Sequence, residues 1–257
     1  MVAQDLPFSG RERVNLLNVF LDIIPPEDLL EFTLKYINSP VDNSPPGKNI
    51  VLLSLWDLLR ARRNHQYRRF VHNAALVIPI SKSLLSGARF LKGIAPVRYM
   101  PFHFIVELLS ILESREYTVY LLGGKDDVLK KAEKNIRLTF PRLRIIGRCA
   151  ASFRKHDEGA IVEAIRKTAP QLLLVGRGVR GGEMWIARND ERLNRGLRLW
   201  CSDLFNVFAK KRRRPSDRVF NLGLEAFFYC FHNPLKFFRF FSYLRYKILL
   251  LFYKLSR

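Results

Sequence analysis

Apolar and polar positions follow two registers along this chain, and they are clearest between Tyr117 and Trp185. There one unit occurs twice: an apolar run, a glycine turn, then an amphipathic segment. Thr118-Val-Tyr-Leu-Leu-Gly-Gly124 predicts a strand ending in a turn. Asp126 to Phe140 predicts a helix, since Val128, Leu129, Ala132, Ile136 and Phe140 fall at helical spacing with lysines opposite. Leu143-Arg-Ile-Ile-Gly147 predicts the next strand, and Ile161, Ile165 and Ala169 mark the inner side of another helix. A third strand, Gln171-Leu-Leu-Leu-Val-Gly176, runs into Gly176-Arg-Gly-Val-Arg-Gly-Gly-Glu183 before the helical Met184 to Asp190. Strands alternating with helices predict an α/β fold, a Rossmann-like parallel sheet flanked by helices. Ligands of such sheets bind at the carboxyl ends of the strands, where glycine turns leave backbone N–H groups free for anions. Gly123, Gly124 and the loop from Gly176 to Gly182 are therefore the first binding candidates.

The flanking segments continue the pattern. Val14 to Ile24 is apolar-rich, and Pro25-Pro26-Glu27-Asp28 suits the first turn of a helix reaching Tyr36. Asn38 to Asn49 is a proline-rich loop. Ile50 to Leu55 predicts a buried strand, and Trp56 to Phe70 a basic helix whose Arg60, Arg62, Arg63, Arg68 and Arg69 mostly face solvent. Ala74 to Ile80 predicts a strand, Ser81 to Phe90 a helix opened by a serine cap, and Pro101 to Ser114 a further helix. Leu197 to Ser202 is the last strand, followed by a charged turn from Lys210 to Pro215. The organisation expected is an α/β domain over residues 1–225 and a basic amphipathic tail over residues 226–257.

That tail contains no Asp or Glu from Ala226 to Arg257. Phe237, Phe240, Phe241, Leu244, Ile248, Leu251 and Leu255 line one face of a helix, with Lys236, Arg239, Lys247 and Lys254 elsewhere around it. A basic, aromatic helix without carboxylates suits the surface of an anionic membrane. The plainer alternative is a terminal helix packed on the domain's own core or on another subunit, so a homo-oligomer stays open.

Charge and length change the picture further. At 257 residues and 48% hydrophobic composition the chain can bury a substantial core, and its formal net charge of +21 calls for an acidic partner. Nucleic acid, a phosphorylated substrate and an anionic lipid surface all qualify; no nucleic-acid-reading motif accompanies the basic clusters, which makes nucleic acid the weakest. Cys149, Cys201 and Cys230 have unrelated spacings, arguing against a disulfide framework or zinc site and for a reducing cytoplasm. The amino terminus lacks the features of a secretory signal, and no uncharged stretch reaches the roughly 18 to 20 residues that span a bilayer. The expected location is cytoplasmic, at the inner face of the membrane.

Gly176-Arg-Gly-Val-Arg-Gly181 is a literal G-x-G-x-x-G, but it comes late in the sheet, whereas the dinucleotide fingerprint opens the first unit. The five histidines show no metal-ligand spacing, and no P-loop or nucleophile elbow is present.

From about Val19 to Pro234 the order of these pieces resembles the WecG/TagA/CpsF family of bacterial glycosyltransferases. The resemblance is carried by Val119-Tyr-Leu-Leu-Gly-Gly124, Phe140-Pro-Arg-Leu-Arg-Ile-Ile-Gly147, and Leu173-Leu-Val-Gly-Arg-Gly178 with Glu183 and Trp185-Ile186. Arg213, Pro215, Leu222-Gly-Leu-Glu225 and Asn233-Pro234 follow in the same order. The resemblance implies an enzyme that moves an N-acetylhexosamine from a UDP-sugar to a polyprenyl-diphosphate-linked sugar, inverting the anomeric centre without a metal or other cofactor. It places the donor around Gly123, Gly124, Gly176, Gly178 and Glu183, the acceptor diphosphate near Arg98 and Arg213, and the basic tail near the membrane.

The departures from the family pattern fall on polar groups. Where the family carries the aspartate of an Asp-Gly, presumed to be the catalytic base, this chain has Ile80, and isoleucine cannot accept a proton. Leu53-Ser-Leu55 replaces a Thr-Pro-Asn, Arg180-Gly-Gly-Glu183 a Pro-Lys-Gln-Glu, and His103 a frequent aspartate; the aspartate of a Gly-Gly-x-Phe-Asp is missing near Cys201 to Phe205. Two expectations follow: a divergent glycosyltransferase in which Ser81, Lys82 or His103 takes over acid–base work, or an inactive member serving as a binding or scaffold protein at the membrane.

Overall fold

The computed structural model describes residues 12–38, 48–193, 196–214, 216–223 and 239–256. It opens with an antiparallel hairpin, β1 (Arg13–Leu16) and β2 (Val19–Asp22), in the apolar stretch to which hydrophobic spacing assigned no element. The turn is Leu17-Asn18, with φ of 53° and 65°, as a two-residue hairpin loop requires, but without the glycine that usually announces one. Asn15 Oδ1 accepts the Asn18 N–H at 2.9 Å in place of that signal.

Six strands form a parallel sheet: β3 (Asn49–Leu53), β4 (Leu76–Pro79), β5 (Thr118–Leu122), β6 (Arg144–Cys149), β7 (Leu172–Gly176) and β8 (Leu197–Ser202). Their order is β4-β3-β8-β7-β5-β6. The last strand in the chain is thus an interior one, between β3 and β7. Both faces are covered, which is why the strands read as unbroken apolar runs rather than alternations. In β7, Leu172 and Leu174 enter one helix layer while Leu173 and Val175 enter the other.

The first layer holds α1 (Leu29–Asn38), α5 (Pro101–Ser114), α6 (Asp126–Thr139) and α9 (Leu204–Phe208). The second holds α2 (Leu55–Arg63), α3 (His65–His72), α4 (Lys82–Lys92), α7 (Glu158–Thr168), α8 (Glu183–Arg188) and the hairpin. A short helix, α10 (Asp217–Leu222), and a long one, α11 (Arg239–Leu255), complete the described elements. Two departures from the expected boundaries have a side-chain cause. β3 stops at Leu53 because Ser54 caps α2 through a reciprocal pair with Asp57. The single basic helix expected from Trp56 to Phe70 is broken at Asn64, whose side chain accepts the Tyr67 N–H at 2.9 Å and starts α3.

The amino ends of the strands are closed by a buried polar group: Arg198 meets Asp190, which also takes an N–H from Asn49 at 3.3 Å. The carboxyl ends carry the glycine turns. Helix α11 packs against α2 and α4 through Tyr246 and Leu250, both buried. Tyr246 donates to the Ser83 carbonyl at 2.9 Å and occupies the space left by Gly87, where a Cβ would lie 1.9 Å from the hydroxyl oxygen. Packing on the domain's own core accounts for that side alone. Phe241, Leu244, Ile248, Leu251 and Leu255, most of the stripe read from the sequence, are exposed on the other. No helix among the described residues is long and apolar enough to cross a membrane. The expected domain boundary after Glu225 lies outside the described residues, as do Pro215, Cys230, Asn233, Pro234 and Phe237.

Candidate active site

Chain connections leave β5 toward β6 and leave β7 toward β8, so the neighbouring tips of β5 and β7 form a switch point of the sheet, the usual place for a ligand crevice. Gly123 and Gly176 stand there in contact. A Cβ on Gly123 would lie 2.7 Å from the Gly176 carbonyl oxygen, and Gly123 has φ of +121°, so no side chain fits either the space or the backbone. Gly178, with φ of +99°, approaches Ala151 just as closely, tying the loop after β7 to the loop after β6.

At the turn after β5 the two glycine amides are already engaged. Gly123 N–H donates to the Cys149 carbonyl at 2.8 Å, and Gly124 N–H to the Arg177 carbonyl at 2.7 Å. Gly123 and Gly124 stitch neighbouring strand tips together; what these two leave for a ligand is close approach rather than donors. Phe205 fills part of the remaining space, its ring standing where a Cβ on Gly176 would lie and bordering Gly124. Two concavities lie elsewhere: an open depression of about 360 Å³ lined by Lys130, Glu133, Arg137 and Arg148 on α6 and β6, and a small one of about 70 Å³ beside Asn18, Arg62 and Arg68.

Positive charge is gathered over the same edge. Asp203, just past β8, is paired with both Arg177 and Arg212, and Lys211 pairs with Asp127 at the start of α6. The charged turn after α9 is therefore folded back onto the strand tips, and Arg177 keeps 71% of its side chain exposed there.

The residues chosen as acid–base candidates are held by structural contacts. Ser81 precedes α4 but makes no side-chain cap to it; its Oγ accepts the Leu55 N–H at 3.2 Å, closing the first turn of α2 instead. Lys82 Nζ donates to the Leu222 carbonyl at 3.2 Å. Arg98 donates to the carbonyls of Ile80 at 3.0 Å and Phe220 at 2.6 Å, with its guanidinium stacked on the Phe220 ring. His103 lies 2.6 Å from an Arg214 nitrogen and 3.5 Å from the Asp217 carboxylate. Helix α10 thus engages Lys82, Arg98 and His103, while Arg213 is exposed beside it.

Glu183 has a different neighbourhood. It begins α8 and meets Arg60 of α2 at 3.3 Å. Burial, then the charge of Asp57, pushes its pKa up to about 7 against the opposing pull of the Tyr67 hydroxyl and Arg60. Asp57 is likewise pushed up by burial, with the Ser54 hydroxyl and N–H (2.5 and 2.9 Å) and Arg60 acting the other way. Tyr67 is completely buried, its hydroxyl turned toward both carboxyls without completing a hydrogen bond, and Arg60 lies 4.1 Å above its ring. Sequence reading chose Glu183 but not Asp57, Arg60 or Tyr67. A signal for Asp57 existed, the capping pattern Ser54-x-x-Asp57, hidden by carrying β3 through to Leu55.

The sequence profile of the Glycosyl transferase WecG/TagA/CpsF family matches residues 14–257. Among individual proteins, the N-acetylglucosaminyldiphosphoundecaprenol N-acetyl-beta-D-mannosaminyltransferase of Bacillus subtilis (strain 168) is 20% identical over 191 residues, 74% of each chain. The enzyme of the same name from Staphylococcus aureus (strain NCTC 8325 / PS 47) is 20% identical over 224 residues, 84% of each chain.

Proposed function

Because the chain belongs to the WecG/TagA/CpsF glycosyltransferase family, we propose that it transfers an N-acetylhexosamine from a UDP-sugar to a polyprenyl-diphosphate-linked or related envelope glycan at the inner face of the membrane. The observation that carries this reading is the switch point between β5 and β7, where Gly123, Gly124, Gly176 and Gly178 allow a ligand to approach backbone beneath a rim of cations. The nucleoside diphosphate meets Arg177, the most exposed cation of the Arg177–Asp203–Arg212 group, and Glu183 borders the sugar. Arg98 shapes the acceptor side from behind, since two of its donors serve backbone carbonyls, and exposed Arg213 is the group left to meet the acceptor diphosphate. The exposed apolar stripe of α11 holds the enzyme on lipid, consistent with the lipid-linked acceptor in the names of both relatives.

Titrating the purified protein with UDP and UDP-N-acetylhexosamines, then supplying polyprenyl-diphosphate-N-acetylglucosamine, tests this. Saturable binding followed by release of UDP is expected; neither binding nor release overturns it. The second reading, an inactive binding or scaffold member, is favoured by Phe205 standing against Gly176 and by Ile80, which the resemblance sets where the family carries an aspartate. It predicts UDP or membrane binding without consumption of donor at any pH.

A further inference from the structure

The carboxyls of Asp57 and Glu183 are arranged beyond what the fold requires. Asp57 completes the cap of α2 with one oxygen, which takes both the Ser54 N–H and hydroxyl. Nothing in that cap calls for a second acid, yet Glu183 arrives from α8 with its side chain only 11% exposed. Among the described residues Arg60 is the cation acting on both carboxyls, and a pair of partly buried carboxylates against a single guanidinium is costly unless one of them keeps a proton. The Tyr67 hydroxyl is buried, turned toward the two acids and acts on both, and no further group among the described residues takes it up.

The two carboxyls also lie near Ile80, which the family resemblance sets in the place of an aspartate. Ile80 N–H donates to the Leu53 carbonyl at 2.9 Å, and Ser81 Oγ takes the Leu55 N–H, so the tips of β4 and β3 run side by side into the first turn of α2, where Asp57 stands. The geometry points to Glu183 as the group that takes the proton of the acceptor hydroxyl, with Asp57 and Tyr67 as its positioning residues. This assignment rests on the glycosyltransferase reading.

In the step, the acceptor oxygen bonds to the anomeric carbon of the donor as the bond from that carbon to the nucleoside diphosphate breaks. The electron pair leaves on the diphosphate oxygen, and the hydroxyl proton passes to a Glu183 carboxylate oxygen. Protonation relieves the repulsion from Asp57, and water at the exposed edge of Glu183 later removes the proton. The groups facing Glu183 are Asp57 and Arg60 from α2 and Tyr67 from α3. Their charges fix how each substitution moves the rate: removing the Asp57 charge makes Glu183 a stronger acid, and removing the Tyr67 hydroxyl makes it a weaker one.

The test is the pH profile of transfer by the full chain on UDP-N-acetylhexosamine and polyprenyl-diphosphate-N-acetylglucosamine in vesicles. Activity is expected to rise through a pH of about 7, with the limb moved to lower pH by Asp57→Asn and to higher pH by Tyr67→Phe. Glu183→Gln should lose roughly 100-fold or more in rate, while UDP affinity by calorimetry changes by less than about threefold. NMR of protein carrying carboxyl-labelled glutamate gives a readout without turnover: one resonance titrating near 7, absent from Glu183→Gln. A wild-type rate in Glu183→Gln, or no glutamate titrating above about pH 6, overturns the assignment alone. A wild-type protein that neither binds UDP nor transfers sugar overturns the glycosyltransferase reading, and the assignment with it.

Discussion

A methyl group at position 123 would meet the Gly176 carbonyl at 2.7 Å from a backbone held at φ of +121°. Contact and conformation act together, so Gly123→Ala should destabilise the fold by about 2–4 kcal/mol, read as a lower midpoint in urea unfolding at unchanged slope. Glu183 makes a prediction of opposite sign. A carboxyl whose pKa is raised by folding binds its proton more tightly in the folded protein; its contribution is full below the ordinary value of 4.5 and is lost as pH rises through about 7. Glu183→Gln removes that loss. Its stability relative to wild type should therefore rise by about 1–3 kcal/mol between pH 5 and pH 8, followed by thermal unfolding at the two pH values. At this scale the glycines were legible, because a turn at a strand tip writes itself into adjacent residues. The contact between Arg60 and Glu183 spans 123 positions and leaves no local trace.

Among the elements, spacing located the strands and helices from Thr118 to Gly176 within a few residues, since each is a continuous run with one period. It failed where side chains interrupt the backbone: Ser54 ends a strand and Asn64 divides a helix through bonds that composition does not show. Helix α11 combines both cases. Its apolar stripe was readable, but Tyr246, buried in the notch at Gly87, was not, because the notch belongs to α4. Replacing Leu244, Leu251 and Leu255 together by serine should leave circular dichroism and unfolding nearly unchanged, since all three are exposed. The same variant should lose at least roughly tenfold in sedimentation with vesicles containing anionic lipid, because each leucine removed from the interface costs about 1–2 kcal/mol of apolar burial. Unchanged vesicle binding would refute the lipid role of that face.

Across the whole molecule, the sheet order β4-β3-β8-β7-β5-β6 could not be read from chain order, because β8 returns to lie between strands formed much earlier. That return brings the carboxyl end of β8, with Asp203, Phe205 and the basic turn, over the glycines of β5 and β7. If α11 lies on lipid as proposed, the net charge of +21 adds a long-range attraction to its apolar contact. Binding to anionic vesicles should weaken steadily between about 50 and 500 mM salt while a residual, salt-resistant part remains, measured by co-sedimentation with RNA as competitor. Complete loss to RNA at moderate salt would favour a nucleic-acid partner instead.

Tyr246 grips α4 at Gly87, six positions along the chain from Ser81. At the rise of an α-helix this is about 9 Å of rigid rod, so the exposed apolar face of α11 and the tip of β4 are held at a constant separation from one another.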